Sequence, residues 1–215
     1  MAQDPDSVAK TLRETAGTQR VPSERVDLFI KRAFLSPKEC EELIELIDAG
    51  RRPSTLADHF GDAPYRTSES CDLNSCNPGV LQAEARIAEI TGLDPACGEP
   101  LQGQRYAVGQ EFKAHTDYFE PNGIDYARYC SQSGQRTWTV MIYLNQPGAG
   151  GATRFKTINK IIQPETGKLL AWNNLARGGG VNPDTLHQGM KVRQGTKYII
   201  TKWYRQRPWL EASRS

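Results

Sequence analysis

The chain has 215 residues, of which 24% are charged and 38% hydrophobic, and a formal net charge of +2. That length and balance suit one soluble globular domain, or one with an extension. They give no strong positive field for nucleic acid or an acidic membrane, and no apolar run reaches membrane-spanning length. The start, "MAQDPDSVAKTLRETAG", lacks the basic flank and apolar stretch of a secretory signal, so a cytoplasmic location is expected. Cys40, Cys71, Cys76, Cys97 and Cys130 are odd in number and form no C-x-x-C pair, which reads as free thiols in a reducing compartment.

The first half is helical in character. "SPKECEELIELIDAG" predicts a helix with Ser36 as N-cap, Pro37 in the first turn and Glu39 closing a capping box. Cys40, Leu43, Ile44 and Ile47 then share one face, and Gly50 ends the element. A second helix runs from the Asn77 cap and Pro78 to a stop at Gly92. The segment between them has no sustained period, and long connections of this kind tend to be functional or disordered.

From about Leu101 the texture changes. "LQGQRYAV", "RTWTVMIYLN", "NKIIQP", "GKLLAWNN" and "TKYIITKWYR" are short, rich in β-branched and aromatic residues, and bounded by Gly, Pro or Asn. "TWTVMIYL" is apolar on both alternating faces, as a central strand covered on both sides would be. Periodicity therefore predicts helices followed by a β-sandwich or barrel.

Residues two apart in extended chain point the same way, so His115 and Asp117 of "KAHTDYF" can face one point. The chain has three histidines. His187, in "DTLHQGMKV", lies between two strand-like segments, whereas His59 lies in the irregular first half. Two imidazoles and one carboxylate on one face leave adjacent coordination positions open, the facial arrangement of non-haem Fe(II) oxygenases. By strand alternation Lys197, Ile199, Thr201 and Trp203 share a face; if it points inward, Lys197 is a buried cation that needs an anion.

The ordered set "QRYAVGQEFKAHTDYF", "RTWTVMIYLNQPGAGGATRF" and "LHQGMKVRQGTKYIITKWY" resembles the prolyl 4-hydroxylase family of 2-oxoglutarate- and Fe(II)-dependent dioxygenases. The resemblance covers about the last half of the chain and extends more weakly through "FLSPKECEELIELI" and the "RTS" at Arg66 to Ser68. It implies an α+β fold: a double-stranded β-helix, or cupin-like jelly roll, with N-terminal helices packed outside. The domain plan expected is a supporting region over 1–98, a dioxygenase core over 99–208 and a tail over 209–215.

The same resemblance implies His115, Asp117 and His187 as iron ligands, and Lys197, Tyr106 and Thr139 around 2-oxoglutarate. It assigns Arg66, Ser68 and Trp203 to the substrate. Fe(II), 2-oxoglutarate and O2 are the implied cofactor and cosubstrates, with ascorbate as reductant. The implied reaction is hydroxylation of an unactivated C–H bond, first of all in a prolyl residue of a peptide or protein, with release of succinate and CO2. A free amino acid or other small molecule, and a non-catalytic peptide-binding module, are the alternative readings. No nucleic acid or membrane partner is expected, and the protein is expected to be a monomer or homodimer. The chain departs from the family at "ESCDL", at Ala152 and in the loop "YFEPNGIDYARYCSQSGQ", which bear on substrate choice rather than on iron chemistry.

Overall fold

In chain order, the computed structural model, which describes residues 5–54, 66–123 and 126–209, has α1 (Pro5–Glu14), β1 (Thr18–Arg20), β2 (Leu28–Lys31), α2 (Pro37–Gly50), β3 (Arg52–Pro53), β4 (Glu69–Asp72) and α3 (Pro78–Thr91). β5 (Gln102–Tyr106), β6 (Phe112–His115), α4 (Tyr126–Cys130), β7 (Arg136–Tyr143), β8 (Ala149–Gly150) and β9 (Thr153–Phe155) follow. β10 (Lys160–Ile162), β11 (Leu169–Asn173), β12 (His187–Gly189), β13 (Val192–Gln194) and β14 (Lys197–Arg205) complete the fold.

The strands form a major sheet in the order β1-β2-β11-β7-β14-β5-β4-β3 and a smaller one in the order β10-β9-β12-β6. Their pairings are antiparallel. β7 lies between β11 and β14, the central position its two apolar faces predict. Trp138, Val140 and Ile142 face the helices, where they share a core with Leu43, Ile47, Val80 and Ile87. Met141 and Tyr143 point the other way, into a second core with Tyr106, Phe155, Trp172 and Ile199. This second core joins the two sheets, because Phe155 belongs to the smaller sheet and Trp172 to the larger. The result is a jelly roll with helices against its major sheet, as the sequence predicts.

Local chemistry explains the two predicted helices. Ser36 Oγ accepts from Glu39 N and the Glu39 carboxylate accepts from Ser36 N, completing the capping box of α2. Cys40, Leu43 and Ile47 are buried. Asn77 caps α3, and Gly92 closes it in the left-handed conformation at φ 70°. Gly50 is instead the last helical residue of α2, and extended Arg51 caps it.

One correction concerns the first half. It supplies β1, β2, β3 and β4 to both ends of the major sheet, besides its helices. These strands have two to four residues, too few for a period of two to stand out. The helix α1, also unforeseen, buries Val8, Ala9 and Leu12 in the helical core. No described helix is long and apolar enough to cross a membrane.

Candidate metal centre and adjoining recess

β6 and β12 are neighbours in the smaller sheet, and their register sets His115 opposite His187. The two rings have centroids 4.3 Å apart. Nδ1 of His115 faces the Lys113 carbonyl at 2.8 Å, and Nδ1 of His187 faces the Thr185 carbonyl at 2.9 Å. A carbonyl only accepts, so each Nδ1 carries the proton and each Nε2 keeps a free lone pair. Both Nε2 atoms turn to Asp117, at 3.7 Å from Oδ1 for His115 and 3.9 Å from Oδ2 for His187. One ligand atom from each of the three residues falls within 4.8 Å of the others, a donor set that fits one divalent ion.

The surroundings tune these groups for that task. Burial, aided by His187, pushes the His115 imidazole down to about 3, so it is neutral at pH 7. Burial alone would raise the Asp117 carboxyl; the two imidazoles, Arg136 and a hydrogen bond from Thr139 outweigh it and hold the group below its ordinary range. Neutral imidazole and ionised carboxylate are the ligand states a metal requires. His59 lies outside the described residues.

The three residues line a recess of about 380 Å³, counted with the space at its mouth that is open to solvent. Lys197 lines it and is 1% exposed. Its Nζ lies 5.0 Å from the Tyr106 ring centroid and 5.4 Å from that of Tyr143. No described carboxylate pairs with it, and burial pushes its amine down to about 7. β14 sends Ile199, Thr201 and Trp203 into the same recess, as strand alternation predicts.

Thr139 is placed differently from its sequence assignment. It is fully buried and absent from the recess lining; it donates to Asp117 Oδ2 over 2.8 Å and accepts from Asn174 Nδ2 over 2.9 Å. Alternation sets the face of β7 but not which neighbour occupies that face at each level. Besides Thr201, the threonine that lines the recess is Thr153, whose Oγ1 accepts from the Tyr143 hydroxyl over 2.6 Å. The same phenol lies 3.2 Å from the Ile162 carbonyl, so its one proton is shared between Thr153 and Ile162. "GGATRF" held the signal for Thr153.

Arg66 and Ser68 border this region. Arg66 Nε donates to Ser68 Oγ over 2.9 Å, and its guanidinium lies 5.1 Å from the Phe112 ring centroid. Phe112 in turn stacks on His115 at 3.5 Å. Trp203 packs against Arg136, 4.1 Å from its ring centroid to the guanidinium carbon. Sequence reasoning missed Arg136, which pairs with Glu99 through Nε and Nη2 at 2.7 Å each. Arg205 shares that carboxylate at 3.0 Å. Cys40, Cys71, Cys76, Cys97 and Cys130 are free thiols.

A jelly roll that presents two imidazoles and one carboxylate to a single point, beside a buried unpaired cation, is the scaffold of a non-haem iron oxygenase. Comparison with known proteins gives the family. Residues 101–205 match the model of the 2OG-Fe(II) oxygenase superfamily. The chain is 34% identical over 175 residues to rat prolyl 4-hydroxylase subunit alpha-3, covering 79% of itself and 32% of that protein. It is 31% identical over 179 residues to the human alpha-1 subunit, covering 81% of itself and 33% of the relative. The chain thus spans about a third of the length of these curated relatives. Among solved structures it resembles the viral collagen prolyl hydroxylase of Paramecium bursaria Chlorella virus-1, with a TM-score of 0.62, 25% identity, and coverage of 83% and 95% of the two chains. The Trichoplax adhaerens prolyl hydroxylase, solved with a hypoxia inducible factor peptide fragment, shares the fold at a TM-score of 0.61 and 16% identity, with coverage of 94% and 89%. The chain belongs to the 2-oxoglutarate- and Fe(II)-dependent dioxygenases, which act with O2.

Proposed function

We propose that the protein hydroxylates a prolyl residue of a peptide or protein, using Fe(II), 2-oxoglutarate and O2 and releasing succinate and CO2. The observation that carries the reading is Lys197, a buried cation without a described carboxylate partner, lining the recess that also holds His115, Asp117 and His187. A divalent ion held by the triad keeps one net positive charge after Asp117, and Lys197 adds a second. A dicarboxylate neutralises both, which removes the cost of burying them.

His115, Asp117 and His187 are assigned to the metal, with Thr139 and Asn174 orienting the carboxylate. Lys197, Tyr106 and Thr153 are assigned to the distal carboxylate of 2-oxoglutarate. Fe(II) and 2-oxoglutarate, when bound, would supply the O2 chemistry that couples decarboxylation to C–H hydroxylation. The chain's own work is to hold both ligands, to keep water from them by burial, and to orient substrate through Arg66, Ser68 and Trp203. Peptide as substrate is supported by the similarity to the alpha subunits and to the viral collagen prolyl hydroxylase. Ascorbate as reductant and a reducing, cytoplasmic setting belong to the same reading; the free thiols suit such a compartment.

The test is to incubate the protein with Fe(II), 2-oxoglutarate and either proline-rich peptides or free amino acids, reading products by mass spectrometry alongside succinate. Oxygen added to peptide proline supports the proposal. Oxygen found only on free amino acids overturns its substrate, and absence of cosubstrate binding overturns the activity.

A further inference from the structure

β5 carries Gln102, Gln104 and Tyr106 at alternate positions, and their polar ends form a chain whose direction the donors dictate. A guanidinium has donors only, so the Gln102 atom 3.0 Å from Arg66 Nη2 is the amide oxygen. That oxygen also accepts from Gln104 Nε2 over 3.3 Å, and Gln104 Nε2 lies 3.2 Å from Thr201 Oγ1. The Gln104 oxygen is thereby turned to Tyr106 and accepts its hydroxyl proton over 2.7 Å. Gln104 and Tyr106 are 3% and 2% exposed, and both line the recess.

A phenol has one proton to give. While it is given to Gln104, Tyr106 has none for an anion beside Lys197, its partner in the β5–β14 register. Resting on the assignment of this recess to 2-oxoglutarate and of Arg66 to substrate, we infer that Gln104 is a positioning residue that withholds the Tyr106 hydroxyl from the cosubstrate until substrate engages Arg66.

The physical reason is a conflict between two acceptors. To release Tyr106 without losing its own bonds, the Gln104 amide must rotate. Nε2 then faces the Tyr106 oxygen, and Oε1 faces the Thr201 hydroxyl. Rotation also sets Gln104 Oε1 against Gln102 Oε1, which Arg66 holds in place. A peptide carbonyl that draws Arg66 away frees Gln102 to turn and removes the conflict. The two ligands are then coupled, each favouring the same amide state.

The experiment measures the dissociation constant of 2-oxoglutarate by calorimetry on the full chain loaded with Mn(II), which binds without turnover, and melting temperature for each variant. Gln104→Met keeps an unbranched side chain of similar volume and removes the competing acceptor. It is expected to tighten binding about threefold to tenfold, the range of one net hydrogen bond. In a Tyr106→Phe background the same substitution is expected to change nothing. Because the Arg66 guanidinium and the Ser68 hydroxyl also reach the Tyr106 hydroxyl directly, the relay is tested at Gln102: Gln102→Met is expected to tighten binding with Gln104 present and to have no effect in Gln104→Met. Weaker or unchanged binding in Gln104→Met of normal melting temperature overturns the inference while leaving the dioxygenase reading intact. So do additive effects in either cycle. If Gln104→Met melts early, Gln102→Met alone decides, since it removes the same conflict from the other side. Failure of the unaltered protein to bind 2-oxoglutarate overturns both readings.

Discussion

Thr139 donates its hydroxyl proton to Asp117 Oδ2 over 2.8 Å while accepting from Asn174, so the carboxylate is held from behind. Thr139→Val keeps the shape and removes the donor. It is expected to lower metal affinity about tenfold, the low end for losing a ligand's hydrogen-bond partner. Thr139→Ser, which keeps the hydroxyl, should restore it. Titration with Mn(II) measures both; equal affinity in Thr139→Val and the unaltered protein would remove the residue from the site.

Lys197 gives the pH dependence. Burial pushes its amine down to about 7 in the folded, ligand-free protein, while in the unfolded chain it titrates in the ordinary lysine range. Between those two values the unfolded chain binds more protons. The contribution of this group to stability therefore rises with pH through that window, and the full penalty for burying the charge is present below about 7. A dianion reverses the preference, because it binds the protonated amine. Affinity for 2-oxoglutarate is expected to fall above pH 7 by up to about tenfold per unit, with proton uptake on binding visible as a buffer-dependent calorimetric enthalpy. Lys197→Met should melt about 3 °C or more higher without ligand and lose cosubstrate binding.

What was legible in the sequence depended on how local each signal is. The α2 and α3 caps are set by residues three or four apart, and both helices stand where Ser36 and Asn77 place them. β7 and β14 have eight and nine residues, long enough for alternation to show which side chains enter the recess. β6 and β12 have four and three, so His115 and His187 were found by residue type and spacing rather than by strand pattern. Thr153 was missed, because which threonine faces the recess depends on how β7 and β9 pack in the fold. The Arg136–Glu99 pair was invisible for a related reason: its partners lie on different elements and meet only in the fold.

Glu99 is the one carboxylate that accepts from both Arg136 and Arg205 among the described residues. Arg136 also reaches the Asp117 carbonyl at 3.4 Å and packs between Phe119 and Trp203. Glu99→Gln keeps the shape but deprives the half-buried Arg136 and the buried Arg205 of the carboxylate they share. It is expected to cost about 3 kcal/mol and to lower Tm by about 6 to 12 °C. Tryptophan emission should change as well, since Trp203 loses its fixed neighbour. A Tm within 2 °C (about 1 kcal/mol) of the unaltered protein would show that the pair does not hold this corner of the site.

Gly103 couples the helical layer to the recess. A Cβ there would lie 2.3 Å from Ile47 Cγ1 and 3.3 Å from Cys71 Sγ, so only a hydrogen lets α2 lie this close to β5. The same strand carries Gln104 and Tyr106 on its other face. Gly103→Ala is expected to destabilise by about 1 to 3 kcal/mol through overpacking. It should also weaken 2-oxoglutarate binding, because pushing β5 off α2 moves Tyr106 relative to Lys197. Ile47→Ala opens space at the clash while costing core burial on its own. The double variant Gly103→Ala/Ile47→Ala should therefore lose less stability than the sum of the two, and recover cosubstrate affinity. Strict additivity in melting temperature and in binding would show that α2 and the recess are independent.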